Sequence, residues 1–163
     1  MKQTSILSHW VHRSLVFVCL AVAAFACETA VNPNITPTVD LTIAVVDDAF
    51  QPVEGATVYL FPFRTPYEEY LAENPDGDPN ITPSLSAENI GITNALGEVV
   101  FPTRPMEGTS YASGETFIHE PNPVYVRVQA PGNLTNDQGV NRIAFDDAES
   151  GDQIAEFVEI QVQ

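Results

Sequence analysis

Three stretches of this chain place an apolar side chain at every second position, and that period of two constrains the fold more than any other feature. In residues 39–46 (VDLTIAVV) Leu41, Ile43 and Val45 alternate with Thr42, Ala44 and Val46. In 124–130 (VYVRVQA) Val124, Val126 and Val128 share one side, and 154–162 (IAEFVEIQV) repeats the alternation. Successive side chains point to opposite faces of a strand, so this pattern buries one face of a sheet, whereas on a helix it would scatter around the axis. Shorter runs lie between. Residues 55–61 carry Ala56, Val58 and Leu60 inward until Pro62 ends the ladder. Residues 90–93 and 98–101 form a hairpin around 94–97, with Gly97 free to take the left-handed backbone, and 139–145 (GVNRIAF) supplies one more strand. Seven strands separated by turns predict an all-β chain, a seven-stranded antiparallel sandwich of two facing sheets.

Two long connections interrupt the strands. In 62–86, Thr65-Pro66-Tyr67-Glu68 has the form of a capping box, and Tyr67, Tyr70 and Leu71 follow at helical spacing, so a short helix is predicted over 66–73 with its tyrosines packed inward. Residues 74–80 (NPDGDPN) then hold too much Pro and Asp for regular structure. The second connection, 102–120, reads as a loop with two Pro-flanked turns.

The N-terminus has a different character. Lys2 and Arg13 precede the uncharged apolar run 15–25 (LVFVCLAVAAF). As a helix this run covers only about half of a ~30 Å hydrocarbon core, which suits a cleaved signal peptide better than a membrane span. Ala24-Phe25-Ala26 satisfies the small-x-small cleavage rule, and Cys27 follows directly. A Cys at that place resembles the lipobox of bacterial lipoproteins, in which the thiol is lipidated and the new N-terminus acylated; the alternative is ordinary secretion with an unmodified Cys27. Cys19 lies within the expected leader, so Cys27 is the one thiol left, and a lone thiol cannot form an internal disulfide. The expected organisation is a signal peptide over 1–26, a lipid-anchored tether over 27–37 and one sandwich domain over 38–163. The expected place is the bacterial cell envelope, as an outer-membrane lipoprotein attached through its lipid alone.

Charge narrows the partners. The 163 residues carry 22 acids against six Lys and Arg; without Lys2 and Arg13 four arginines remain, and the formal charge is −18. Such a surface repels nucleic acid and anionic headgroups. The acids are scattered along the chain, as expected of a solubilising surface or of adaptation to salt; the alternative is cation binding or a basic partner.

The run Val45-Val46-Asp47, then Pro52-Val53-Glu54-Gly55-Ala56-Thr57-Val58-Tyr59-Leu60, then Thr93-Asn94-Ala95-Leu96-Gly97-Glu98-Val99-Val100-Phe101, then 125–132 (YVRVQAPG), resembles the carboxypeptidase regulatory-like domains. The resemblance covers about 39–132. It implies their transthyretin-like, or prealbumin-like, seven-stranded fold, with Val58, Leu60, Val100 and Phe101 filling the space between the sheets and Gly55 permitting the tight turn before its strand.

Catalytic constellations fail on inventory. His119 is the one histidine beyond the leader, which excludes a two-His two-Tyr iron site, and no second His follows it at zinc-protease spacing. A Cys27–His119 dyad on a chain-terminal tether lacks fixed geometry. His119 is read as a loop residue. Beyond the leader no Lys remains for an isopeptide crosslink, and with no Trp there only tyrosines remain to stack on sugars. The one metal candidate is Asp76, Asp78 and Asn80, oxygen donors at alternate positions around Gly77, with Glu73 and Glu88 on either side, a pattern that suits calcium. Two functions follow: a non-enzymatic, membrane-anchored binding or accessory module whose partner is an envelope protein or glycan, or a calcium-dependent ligand- or carbohydrate-binding domain centred on 73–88.

Overall fold

The computed structural model describes residues 35–163 apart from Asp76, Gly77, Pro79, Asn80 and Glu115; the leader, Cys27 and two of the three metal candidates lie outside the described residues. Residues 33–163 form one compact unit. Among the described residues the chain is mostly β, with one α-helix and strands gathered into three sheets.

Strand β1 (Thr38–Val46), nine residues long, organises the first sheet. Along one edge it pairs with β12 (Gln153–Gln161), from Thr38 opposite Gln153 to Val46 opposite Gln161. Along the other it pairs with β4 (Glu98–Val100) and with the two-residue β5 (Arg104–Pro105). The β1–β12 pair is parallel, which corrects the all-antiparallel expectation. Parallel neighbours need a long crossover, and here the crossover is nearly the whole domain.

The second sheet places β8 (Val124–Ala130) between β2 (Thr57–Phe61) and the short β10 (Arg142–Ile143), with β3 (Ile90–Ile92) beyond β2 and β9 (Leu134–Thr135) on β8. Leu41, Ile43 and Val45 of the first sheet meet Val58, Leu60, Val126 and Val128 of the second in one core; all seven are sealed from solvent. Burying an aliphatic side chain of this size contributes roughly 1.5–3 kcal/mol, so this layer is what holds the sheets together. Val99 and Phe101 complete it from β4 and the residue after it. Val100 does not: it is 70% exposed on the outer face beside Thr42, because neighbouring strand positions alternate.

Each of the seven segments read from the sequence has a strand, although 139–145 pairs only at Arg142 and Ile143, and 90–93 and 98–101 do not pair as the expected hairpin: β3 joins β2 and β4 joins β1, so the turn between them crosses from one sheet to the other. The supposed loop 102–120 is largely strand. It contains β5, β6 (Gly108–Ser113) and most of β7 (Thr116–Pro121); β6 and β7 form a hairpin, and β11 (Ala148–Glu149) joins β7 to make a third sheet. Every residue of β6 is exposed, so its backbone ladder, not burial, defines the strand.

The helix α1 spans Arg64–Glu73 and starts two residues earlier than expected. The capping box is not made: Phe63 is the N-cap, it has no side-chain bond to the first turn, and Thr65 already lies inside the helix. Tertiary packing fixes α1 instead. Tyr67 and Tyr70, one turn apart, are buried against Tyr59 and Phe61 of β2, and Tyr67 stacks on Tyr125 with ring centroids 5.5 Å apart. The helix therefore covers the outer face of the second sheet, which explains why both faces of 58–61 are buried.

Candidate functional site

The second sheet's outer face carries a closed polar network under α1. Gln129 Nε2 donates to the Tyr70 hydroxyl at 2.7 Å, Asn74 Nδ2 donates to the same oxygen at 2.8 Å, and Tyr70 donates to the Ile81 carbonyl at 3.2 Å. The Tyr59 hydroxyl donates to Gln129 Oε1 at 3.2 Å. Arg127, 1% exposed, lies on the same face and pairs with the Asp137 carboxylate. Burial pulls the Arg127 guanidinium below its usual range, an effect that Tyr67 and Tyr70 partly counter. Gln129, Tyr70, Asn74 and Tyr59 bond to one another, so this network fastens α1 and the start of the following loop to the sheet, while the Arg127 Nε is buried without a partner.

That fastening also accounts for the one described member of the metal candidates. The Asp78 N–H donates to Asn74 Oδ1 at 2.6 Å, and its carbonyl accepts from Asn74 Nδ2 and from the Ile81 N–H. Asp78 is thus held by its main chain in the exit from α1. Glu73 is exposed at the end of the helix. Among the described residues no three His, Cys, Asp or Glu side chains come together as a metal site.

His119 is not a loop residue. It lies on β7 between Ser110 and Ala148 and is 5% exposed, because β6 and β11 flank its strand. Its Nδ1 lies 2.9 Å from Ser110 Oγ, while Nε2 is buried without a partner. Gly108 makes room for the ring: a Cβ there would come within 2.8 Å of Nε2. Stranding a buried N–H costs more than stranding a lone pair, which favours the tautomer with hydrogen on Nδ1. In that tautomer His119 donates to Ser110 and does not act as its base.

An open cavity lies elsewhere, at the end of the sandwich where β1 begins. It is a cavity of about 420 Å³, within the ~300–1,000 Å³ range of small-molecule sites. Val39, Met106, Val124 and Phe145 form an apolar floor, with Leu41 beneath. The Met106 N–H donates to the Pro37 carbonyl at 2.8 Å, which ties this wall to the segment leading into β1. Arg104 forms another wall. Its Nη1 donates to Asn89 Oδ1 and its Nη2 to the Glu88 carbonyl, both at 2.9 Å, and the guanidinium lies over the Phe101 ring at 5.6 Å. Burial lowers its pKa and the nearby Glu88 carboxylate opposes that shift. Glu88 and Glu107 are exposed at the rim.

The sequence did not reveal this cavity, because its walls come from six separated regions. The signal within reach was local: Pro102, Pro105 and Met106 interrupt a polar stretch, an odd position for a large thioether unless it packs on something.

No protein-family model matches this chain, and no curated protein does. Among solved structures, a mutant of the Acinetobacter radioresistens catechol 1,2 dioxygenase resembles it with a TM-score of 0.39 and 14% identity, over 83% of this chain. The chain spans about half of that enzyme, 55% of its length.

Proposed function

We propose that this chain is a non-enzymatic binding module of the bacterial cell envelope, moored to the membrane by lipid on Cys27 and acting through one end of a transthyretin-like sandwich. The open cavity of about 420 Å³ at the start of β1 carries the binding half of this reading: it pairs an apolar floor with a polar rim. The run 15–25 followed by Cys27 supports the mooring half. The carboxypeptidase regulatory-like assignment is supported by Gly55 and Gly97, which both take positive φ at the turns of the shared phrase, 77° and 74°. The seven segments expected from the sequence coincide with β1, β2, β3, β4, β8, β10 and β12, which supports this reading; β6, β7 and β11 lie outside them.

Fractionation of cells tests the mooring. The wild-type protein should sediment with membranes and the Cys27→Ser variant should not be lipidated; a wild-type protein found wholly in the soluble fraction would overturn the reading. Thermal melts taken with calcium and with a chelator should coincide. A shift between them would move the binding site to 73–88.

A further inference from the structure

The cavity's rim and the charge of the whole chain identify the class of ligand. Four cationic side chains, all arginine, lie among the described residues, and three are committed. Arg64 pairs with Glu68 at 2.6 Å, Arg127 is buried against Asp137, and Arg104, beside Glu88, is held in the cavity wall by Asn89 Oδ1, the Glu88 carbonyl and the Phe101 ring, none of which cancels its charge. The Nε of Arg104 is sealed from solvent without a hydrogen-bond partner. The exposed charges at the cavity mouth are the Glu88 and Glu107 carboxylates, two against the one Arg104 guanidinium in the wall, on a chain whose formal charge is −16. A field of that sign concentrates cations and repels anions.

We propose that the cavity bounded by Val39, Met106, Val124 and Phe145 takes a small organic cation, its apolar body on that floor and its ammonium group between Glu88 and Glu107. The inference rests on the binding-module reading and adds the chemistry of the ligand. An apolar body gains from leaving water in proportion to the area covered. The ammonium stays at the exposed rim, where it keeps part of its hydration and avoids the cost of full burial. A carboxylate in the same pose would face Glu88 and Glu107 with like charge.

Met106 provides the reporter, since the chain has two methionines and the other is Met1. The whole purified protein, labelled with ¹³C at its methionine methyl groups, is titrated at low salt with 3-phenylpropylamine, 3-phenylpropanol and 3-phenylpropanoate; Met106→Leu identifies the signal. The amine should shift the Met106 methyl saturably, and the acid should bind at least about tenfold more weakly, a difference of ~1.4 kcal/mol. The double variant Glu88→Gln, Glu107→Gln should keep its melting temperature and its affinity for the alcohol while losing most of the preference for the amine. A preference for the acid, or an amine preference untouched by the double variant, would overturn the assignment. If none of the three probes moves the Met106 signal, the cavity is not the site, whereas the mooring reading stands or falls separately by fractionation.

Discussion

The Tyr70 hydroxyl accepts hydrogen bonds from both Gln129 and Asn74, at 2.7 and 2.8 Å, and so joins the second sheet to the helix and to the loop after it. Tyr70→Phe keeps the ring contacts with Tyr59 and Phe61 but leaves two buried amide donors short of a partner. A buried donor stranded in this way costs about 1–3 kcal/mol. Urea unfolding of the variant should show a loss in that range, and limited proteolysis should cut first near 74–86. An unchanged midpoint would mean that the network does not hold α1.

Thr93 sits at the joint between the sheets. Its hydroxyl accepts from the Ala56 N–H at 2.9 Å and donates to the Val53 carbonyl at 2.6 Å, with the residue 3% exposed. Thr93→Val has nearly the same shape, so packing is kept while two backbone groups lose their partner. The expected loss is again about 1–3 kcal/mol, and Thr93→Ser should restore most of it. Equal destabilisation by Ser and Val would assign the effect to the methyl group instead.

Gly97 is required twice over. Its φ is +74°, and an added Cβ would lie 2.6 Å from the Val45 carbonyl oxygen, which is the acceptor side of a crowded backbone. The Gly97 carbonyl also accepts from the Val45 N–H at 2.8 Å. Gly97→Ala should therefore cost about 1–3 kcal/mol from backbone strain alone. Gly132→Ala also has positive φ but nothing within 4 Å, so it should cost less; the two variants compared in denaturant separate strain from collision.

How much was legible in the chain follows from which residues alternate. Val124–Ala130 was read with its bounds and its inward face because Val124, Val126 and Val128 bury one side completely. Strand β6 was not, because GTSYAS offers no apolar side to detect and its pairing with β7 is made by backbone groups. The parallel register of β1 and β12 is a tertiary fact about positions 38 and 153, which no local period contains. His119 looked like a loop residue for the same reason as β6: the strands that bury it are polar. The cavity was invisible because Val39, Glu88, Met106 and Val124 meet only once the sheets are assembled.

Alkali should unfold the domain through its tyrosines. Burial, with Tyr70 close by, raises the Tyr59 hydroxyl above the ordinary phenol value of about 10, and burial likewise raises Tyr67 against the opposing effects of Arg127 and Asn141. A raised value favours the neutral phenol in the folded state, so the stability from these groups is complete below about pH 10 and is lost as the pH climbs through their folded-state values. Phenolate absorbance should show late-titrating tyrosines that ionise together with loss of β-sheet circular dichroism. Tyrosines that all ionise near pH 10 without unfolding would contradict this.

The mooring of the domain by Cys27 is tested most directly by intact-mass spectrometry of protein extracted from membranes. The account predicts a chain that begins at Cys27 and carries the mass of a diacylglyceryl group and an N-linked acyl chain, with no thiol to alkylate. A chain that begins elsewhere, or one whose Cys27 is bare and alkylates freely, would contradict it.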